Sequence, residues 1–306
     1  MQGDESGGGL ADPSGRASGS EAVGDRRRGG RQKWLVIGTI ALALLVLIGY
    51  VVGGAAAAAA PVSRADAALQ ATLSHDQSIG KLFSNDPFSS VNFNSSDQDV
   101  AAARAALTKA KGDVAQWQSD VINDRRALMS ARADLDSSLL TLPEQGTISS
   151  HRKRVDAALR AMSDAQQGIT LISKQLDVMG PFFEAIAGFI AISKAADAHD
   201  LSGLQKAIAA TSPNVDKTVS LGKAASFPPP MMTILTSMQQ MLGDMKGLVA
   251  AAQAGDQAGT QKYAAAIDTD AKALDAADQT TIDAAEKKLF QPLSDDYEAQ
   301  MKTAAG

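Results

Sequence analysis

The sequence predicts an all-α chain: one N-terminal transmembrane helix, then an extracytoplasmic helical bundle containing a long heptad-patterned antiparallel hairpin. Three observations carry this. Residues 34–52, WLVIGTIALALLVLIGYVV, form a charge-free apolar run. Val100, Leu107, Val114, Val121, Leu128 and Leu135 recur every seven residues. No segment shows the sustained two-residue alternation of a strand.

Residues 1–33 are rich in Gly, Ser, Asp and Arg and carry almost no large apolar side chain. Such a segment buries too little surface to fold and reads as a disordered cytoplasmic tail. Its basic end (Arg26, Arg27, Arg28, Arg31, Lys33) suits anionic headgroups, worth ~1 kcal/mol per residue near the surface.

A bilayer core of ~30 Å needs roughly 20 apolar residues in helical form. The run 34–52 meets that length, within a transmembrane segment taken as 34–54, and Trp34 and Tyr50 sit where aromatic rings favour the interface. Basic residues lie on its N-terminal side, and the next one after it is Arg64. The positive-inside bias then puts the N-terminus in the cytoplasm and the remainder outside. A retained signal anchor competes with a peptide cleaved after Ala58-Ala59-Ala60. The run exceeds the ~7–15 residues of a signal-peptide core. Pro61, directly after the alanines, restricts the extended fit a peptidase needs. Retention is the expectation. Gly49 and Gly53 form a GxxxG pair, read as incidental.

Residues 55–95 read as a linker with a membrane-proximal helix and loop. Phe88 and Phe93 in the loop 83–94 are expected to plug the bundle end. The hairpin is placed at 96–180. Ser96 and Asp99 form a capping-box pattern. The heptad row follows, with Ala103, Ala110, Trp117 and Ala131 on a second row that Asp124 and Ser138 break. That predicts one helix of about 44 residues. After 142–146, a turn with Pro143 and Gly146, Ile148, Val155, Met162, Ile169 and Leu176 resume the seven-residue spacing. Gly180-Pro181 reads as the stop of this second helix.

Further helices of the bundle are expected over 181–306. The apolar stretch 182–192, FFEAIAGFIAI, reads as buried rather than membrane-touching, because Glu184 interrupts it. AADAHDLSGLQKAIAA from Ala195 aligns with AAQAGDQAGTQKYAAA from Ala251, each with an Asp N-cap candidate, Asp200 and Asp256. Pro228-Pro229-Pro230 separates them. Met231, Ile234, Met238, Met241, Met245 and Leu248 form a face read as core filling. A last long helix carries Tyr263, Ile267, Leu274, Ile282 and Leu289 and is expected to end near Pro292.

The chemistry reading is negative: no catalytic, cofactor-binding or metal residue and no cofactor is assigned. There is no cysteine, and no G-x-S-x-G, P-loop or GxGxxG element. His75, His151 and His199 are far apart, and solvated roles are expected for His151 and His199. The series from Asp268 lacks a calcium loop's Gly and Glu, with Ala273 and Gln279 in their places. Asn92, Asn94, Asp97 and Asp99 offer oxygen donors, but turns and caps account for them. Six of the 29 basic and five of the 34 acidic residues fall in the tail, leaving 23 against 29 beyond it. That mildly acidic balance argues against a nucleic-acid partner, and none is expected. The function expected is a non-enzymatic, single-pass bacterial membrane protein acting as an interaction or structural module, with a protein partner or itself. The alternative is a ligand-binding or sensing ectodomain working with a separate signalling partner.

Overall fold

The computed structural model describes residues 28–84, 96–136, 139–275 and 279–306, with side chains from 45 onward except at 84, 139, 140, 275 and 279. Among these described residues are seven α-helices and a short 3-10 turn, and no strand. The helices are α1 (Arg28–Ser84), α2 (Asp97–Asp134), α3 (Gln145–Asp197), α4 (Leu201–Ala224), α5 (Pro229–Ala254), α6 (Gln257–Asp275) and α7 (Gln279–Ala305). The 3-10 turn is Leu139–Glu144. Contacts divide the chain into Met1–Val52 and Gly53–Gly306. In the first unit, the apolar side chains from Leu45 to Val52 are exposed.

In the second unit, the seven-residue rows become core. Val100, Leu107, Val114, Val121, Leu128 and Leu135 of the α2 row are buried, as are Ile148, Val155, Met162, Ile169 and Leu176 on α3. Ion pairs join Asp97 to Lys194, Arg104 to Glu184, Lys111 to Asp177, Arg132 to Asp156 and Asp136 to Arg152. Numbers rise along α2 as they fall along α3, so the two helices run antiparallel. These exposed pairs add little energy and serve here as register marks. The second half of α1 and the end of α7 complete this core through Ala65, Leu69, Ile79, Tyr297 and Met301.

A second core forms where α3 continues beyond that bundle. Ala185 and Ile192 of α3 meet Ile208 and Val215 of α4 and Met238, Leu242 and Val249 of α5. Val178, Val219, Phe227 and Leu235 form a smaller cluster beside it. Buried Met238 sits among half-buried Met231, Met241 and Met245, so the methionine face fills core. The stretch 182–192 is buried here too, with Phe183 and Ile190 inside.

Three boundaries differ from expectation. Helix α2 closes at Asp134, spanning 38 residues rather than about 44. Helix α3 does not stop at Gly180-Pro181 but runs on to Asp197. Proline in a helix costs about 3 kcal/mol by removing one hydrogen bond and crowding the preceding turn. Burying Val178 before it and Phe183, Ile190 and Ile192 after it returns more, at roughly 1.5–3 kcal/mol per large side chain. The last helix is two, α6 and α7, and α7 passes Pro292 because Tyr297 and Met301 beyond it are buried. Phe88, Phe93, Asn92 and Asn94 lie outside the described residues.

Local signals hold at the caps. Ser96 Oγ accepts from the Asp99 amide at 3.1 Å, and Asp99 Oδ2 accepts from the Ser96 amide at 3.2 Å. The two similar segments build the same turn. His199 (φ 53) and Gly255 (φ 67) take left-handed backbone, and Asp200 and Asp256 each accept from the glycine amide three residues on, at 2.9 Å. That conformation is costly for a non-glycine residue such as His199.

Close approach makes one glycine critical. A Cβ on Gly188 of α3 would come 2.8 Å from Thr211 Cβ on α4. Gly188→Ala is expected to cost about 1–3 kcal/mol by overpacking. Gly112 on α2 faces open space, and Gly112→Ala should stabilise by about 0.5–1 kcal/mol. Denaturant unfolding of the full chain in detergent, followed by circular dichroism, measures both. Equal effects would show that the α3–α4 seam yields freely.

Candidate functional site

The seven-residue pattern places Asp124 on the core row of α2, where Ala103, Ala110, Trp117 and Ala131 are apolar. A lone carboxylate there must find a partner or disrupt the helix pair. It is buried, 3% exposed, and faces His75 on α1. His75 Nδ1 lies 3.0 Å from Asp124 Oδ2 and 3.2 Å from Oδ1. The imidazole is 39% exposed at its side chain, so this pair reaches from the core to water.

The neighbouring residue, Asp76, extends the cluster to α7. The Tyr297 hydroxyl donates to Asp76 Oδ1 at 2.9 Å. Tyr297 is 1% exposed and tilts against Phe83, ring centroids 5.5 Å apart. Three helices distant in sequence therefore meet at four polar side chains inside an otherwise apolar bundle. Thr72, one turn before, satisfies its own buried hydroxyl by donating to the Ala68 carbonyl at 3.0 Å.

Charge states follow from these contacts. The hydrogen bond to Asp124 raises the His75 pKa above 6.5, against the opposing effect of burial, and the Asp124 and Asp120 charges add to the rise. Burial raises the Asp124 carboxyl above its ordinary value, with the His75 hydrogen bond pulling it back. Burial, then the negative charge of Asp76, pushes the Tyr297 phenol far above its usual range, so it stays a hydrogen-bond donor. Chemically, the cluster can hold and exchange one proton between imidazole and carboxylate.

Sequence reasoning marked Asp124 as a break but did not supply its partner. The usable signal was the demand for a counter-charge at a core position; which residue answers it is a matter of tertiary register. His151 is corrected from a solvated role. Its side chain is 16% exposed, its Nε2 lies 3.1 Å from Asp66, and its Nδ1 lies 2.9 Å from the Thr147 carbonyl. His199 is exposed in its turn. Asp97 pairs with Lys194 and Asp99 caps α2. Asp268 pairs with Lys272 on the α6 surface, and Asp270 faces Asp244 of α5 with its carboxyl raised by burial and that charge. Asp164 on α3 is likewise raised, by burial and then by Asp296 of α7. Among the described residues, no group of three or more His, Asp or Glu is arranged to hold a metal ion.

An open cleft of about 220 Å³ lies elsewhere, between α4 and α5, lined by Gln205, Ile208, Ala209, Lys246, Val249 and Gln253. The Met-rich face does not line it. No family model, curated protein or solved structure matches this chain.

The cluster predicts a pH slope. The His75 contribution is complete below its unfolded value of about 6.5 and is lost as pH rises through its higher folded value. Asp124 acts with the same sign, since ionising a buried carboxyl of raised pKa costs stability as pH rises through that value. Thermal melts of the full chain in detergent should show a melting temperature that falls from mildly acidic to alkaline pH. His75→Gln should flatten that slope and cost about 2 kcal/mol, less than for a fully buried pair because His75 is partly solvated. Asp124→Leu should flatten it with little loss of stability, because leucine restores the apolar row. A slope unchanged in both variants would remove the pair as its source.

Proposed function

We propose that this chain is a non-enzymatic, single-pass membrane-anchored protein whose helical unit acts outside the cytoplasm as an interaction or structural module. The observation carrying this reading is the apolar run ending at Val52, charge-free in sequence and exposed from Leu45 to Val52. Among the described residues, two helices are long and apolar enough to cross a membrane, Leu45–Phe83 and Thr141–Asp197. The second is α3, which serves both cores, and its ion pairs with α2 line its flank, so a soluble core role explains its apolarity. The run 34–52 is charge-free and reads as the anchor. Basic residues on its N-terminal side support an N-in orientation. Retention is supported by Ala58, 3% exposed within the helix of α1 and part of the bundle core, where a peptidase would need extended chain.

The module role is supported by the antiparallel heptad hairpin of α2 and α3, a rigid pair of long helices suited to presenting a surface. A ligand-binding ectodomain is the second reading, favoured by the α4–α5 cleft, whose lining joins Ile208 and Val249 with Lys246.

Topology is testable because the chain lacks cysteine. In intact cells, a membrane-impermeant maleimide should label Ser220→Cys and leave Ser18→Cys unlabelled until the membrane is opened. Labelling of both, or of Ser18→Cys alone, would refute the orientation. The module reading expects a defined oligomer in sedimentation of the full chain in detergent, or one defined partner in cellular crosslinking. A monomer without partner, whose melting temperature rises reproducibly with a small molecule, would transfer the assignment to the ligand-binding class.

A further inference from the structure

The ion-pair ladder between α2 and α3 has one open rung. Arg104, Lys111 and Arg132 of α2 pair with Glu184, Asp177 and Asp156 of α3, each step up one helix matched by an equal step down the other. Both helices are continuous across this interval. Between the last two pairs, the same register sets Gln118 opposite Thr170 and Arg125 opposite Ser163.

No carboxylate of either helix answers Arg125. Its neighbours one turn away on α2 are Val121, Ile122, Leu128 and Met129, all apolar. Asp164, beside Ser163, meets the charge of Asp296 on α7 instead. Among the described residues Arg125 enters no ion pair, and its Nε is buried without a hydrogen-bond partner. A guanidinium cannot shed its charge, so a desolvated donor of this kind lowers stability until something accepts from it.

The apolar side chains beside this cation face water. Ile122 is 42% exposed and Met129 is 59% exposed. They are two of the four large apolar side chains exposed among the described residues of the second unit, and both sit within about a turn of Arg125. Protein interfaces are enriched in arginine and methionine, and their strongest contacts are desolvated arginines ringed by apolar surface.

We propose that this stretch of α2, with Ser163 of α3 beside it, docks an acidic segment of a partner protein. The segment supplies the carboxylate that the ladder lacks and lays apolar side chains on Ile122 and Met129. This gives the interaction-module reading its surface and its partner chemistry, and rests on that reading. Charge decides the occupant. Arg126, the next residue, is also exposed. A second copy laid on the same face across a two-fold axis would set Arg125 and Arg126 against their own like charges. A free inorganic anion would fill the rung and leave both apolar side chains in water.

The test uses the full chain in intact cells, with a photoactivatable phenylalanine derivative replacing Met129 or, about 40 Å away along α2, exposed Ala102. Illumination at 129 should give an adduct with one other protein, crosslinked within about one helical turn of an Asp or Glu. That adduct should fall about tenfold or more in Arg125→Gln, and it should be absent at 102. Arg125→Gln should keep the melting temperature of the full chain in detergent, since no group within the fold loses a partner. An adduct with a second copy, one that persists in Arg125→Gln, one that forms equally at 102, or one mapped away from any carboxylate overturns the docking. A melting temperature several degrees lower in Arg125→Gln would place the partner of Arg125 inside the fold and overturn the open rung. No adduct at 129, beside a defined oligomer or a partner crosslinked elsewhere, removes this surface and leaves the module reading standing. No adduct at 129 from a monomer without any partner removes both.

Discussion

Helix α3 remains unbroken through Gly180-Pro181 because the apolar side chains on both sides of the proline are held by different neighbours. Before it, Val155, Met162 and Ile169 pack into the core shared with α1, α2 and α7. After it, Ala185 and Ile192 pack with α4 and α5. Stopping at the proline would detach one core from the other and expose both of their ends. Loss of one backbone hydrogen bond is the smaller penalty. Three helices are arranged along this one: α2 antiparallel to it by a ladder of ion pairs, α4 returning from its end, and α7 closing the first core, while α6 packs on α5.

The polar cluster shows a different balance. An Asp at a core position of α2 opposes the apolar pattern around it, and its cost is offset only by a cation from another helix. His75 supplies that cation while staying in touch with water, and Asp76 binds the Tyr297 hydroxyl next to it. Such a pair constrains register. Sliding α1 by one residue on α2 would set Ser74 or Asp76 in the place of His75, neither of them a cation, a stronger penalty than a misplaced alanine. A proton-sensitive contact between the first helix of the bundle and the next is the consequence.

Much of the local architecture was legible. The seven-residue rows, the Ser96–Asp99 box and the Asp200 and Asp256 caps are short-range signals, each satisfied within a few residues. Boundaries at Pro181 and Pro292 were not, because a proline's local penalty is visible in sequence whereas the burial that exceeds it comes from helices far along the chain. His151 was misplaced for the same reason. Its position near a helix start suggested solvent, but Asp66 on α1 and the turn before it enclose the ring. Of the polar cluster, one member of four was flagged, by its conflict with the heptad pattern.

By itself the sequence determined that the chain is helical, where its longest apolar run lies, which faces of α2 and α3 are buried, and how several helices begin. These depend on periodicity and on side chains that act on their own backbone. Tertiary structure alone decided that α3 is one helix serving two cores, that α7 returns to close the first, and that His75, Asp76, Asp124 and Tyr297 meet. Those outcomes depend on which distant surfaces bury one another. Hydrophobic burial is non-directional, and nothing in a helix's own pattern names its partner.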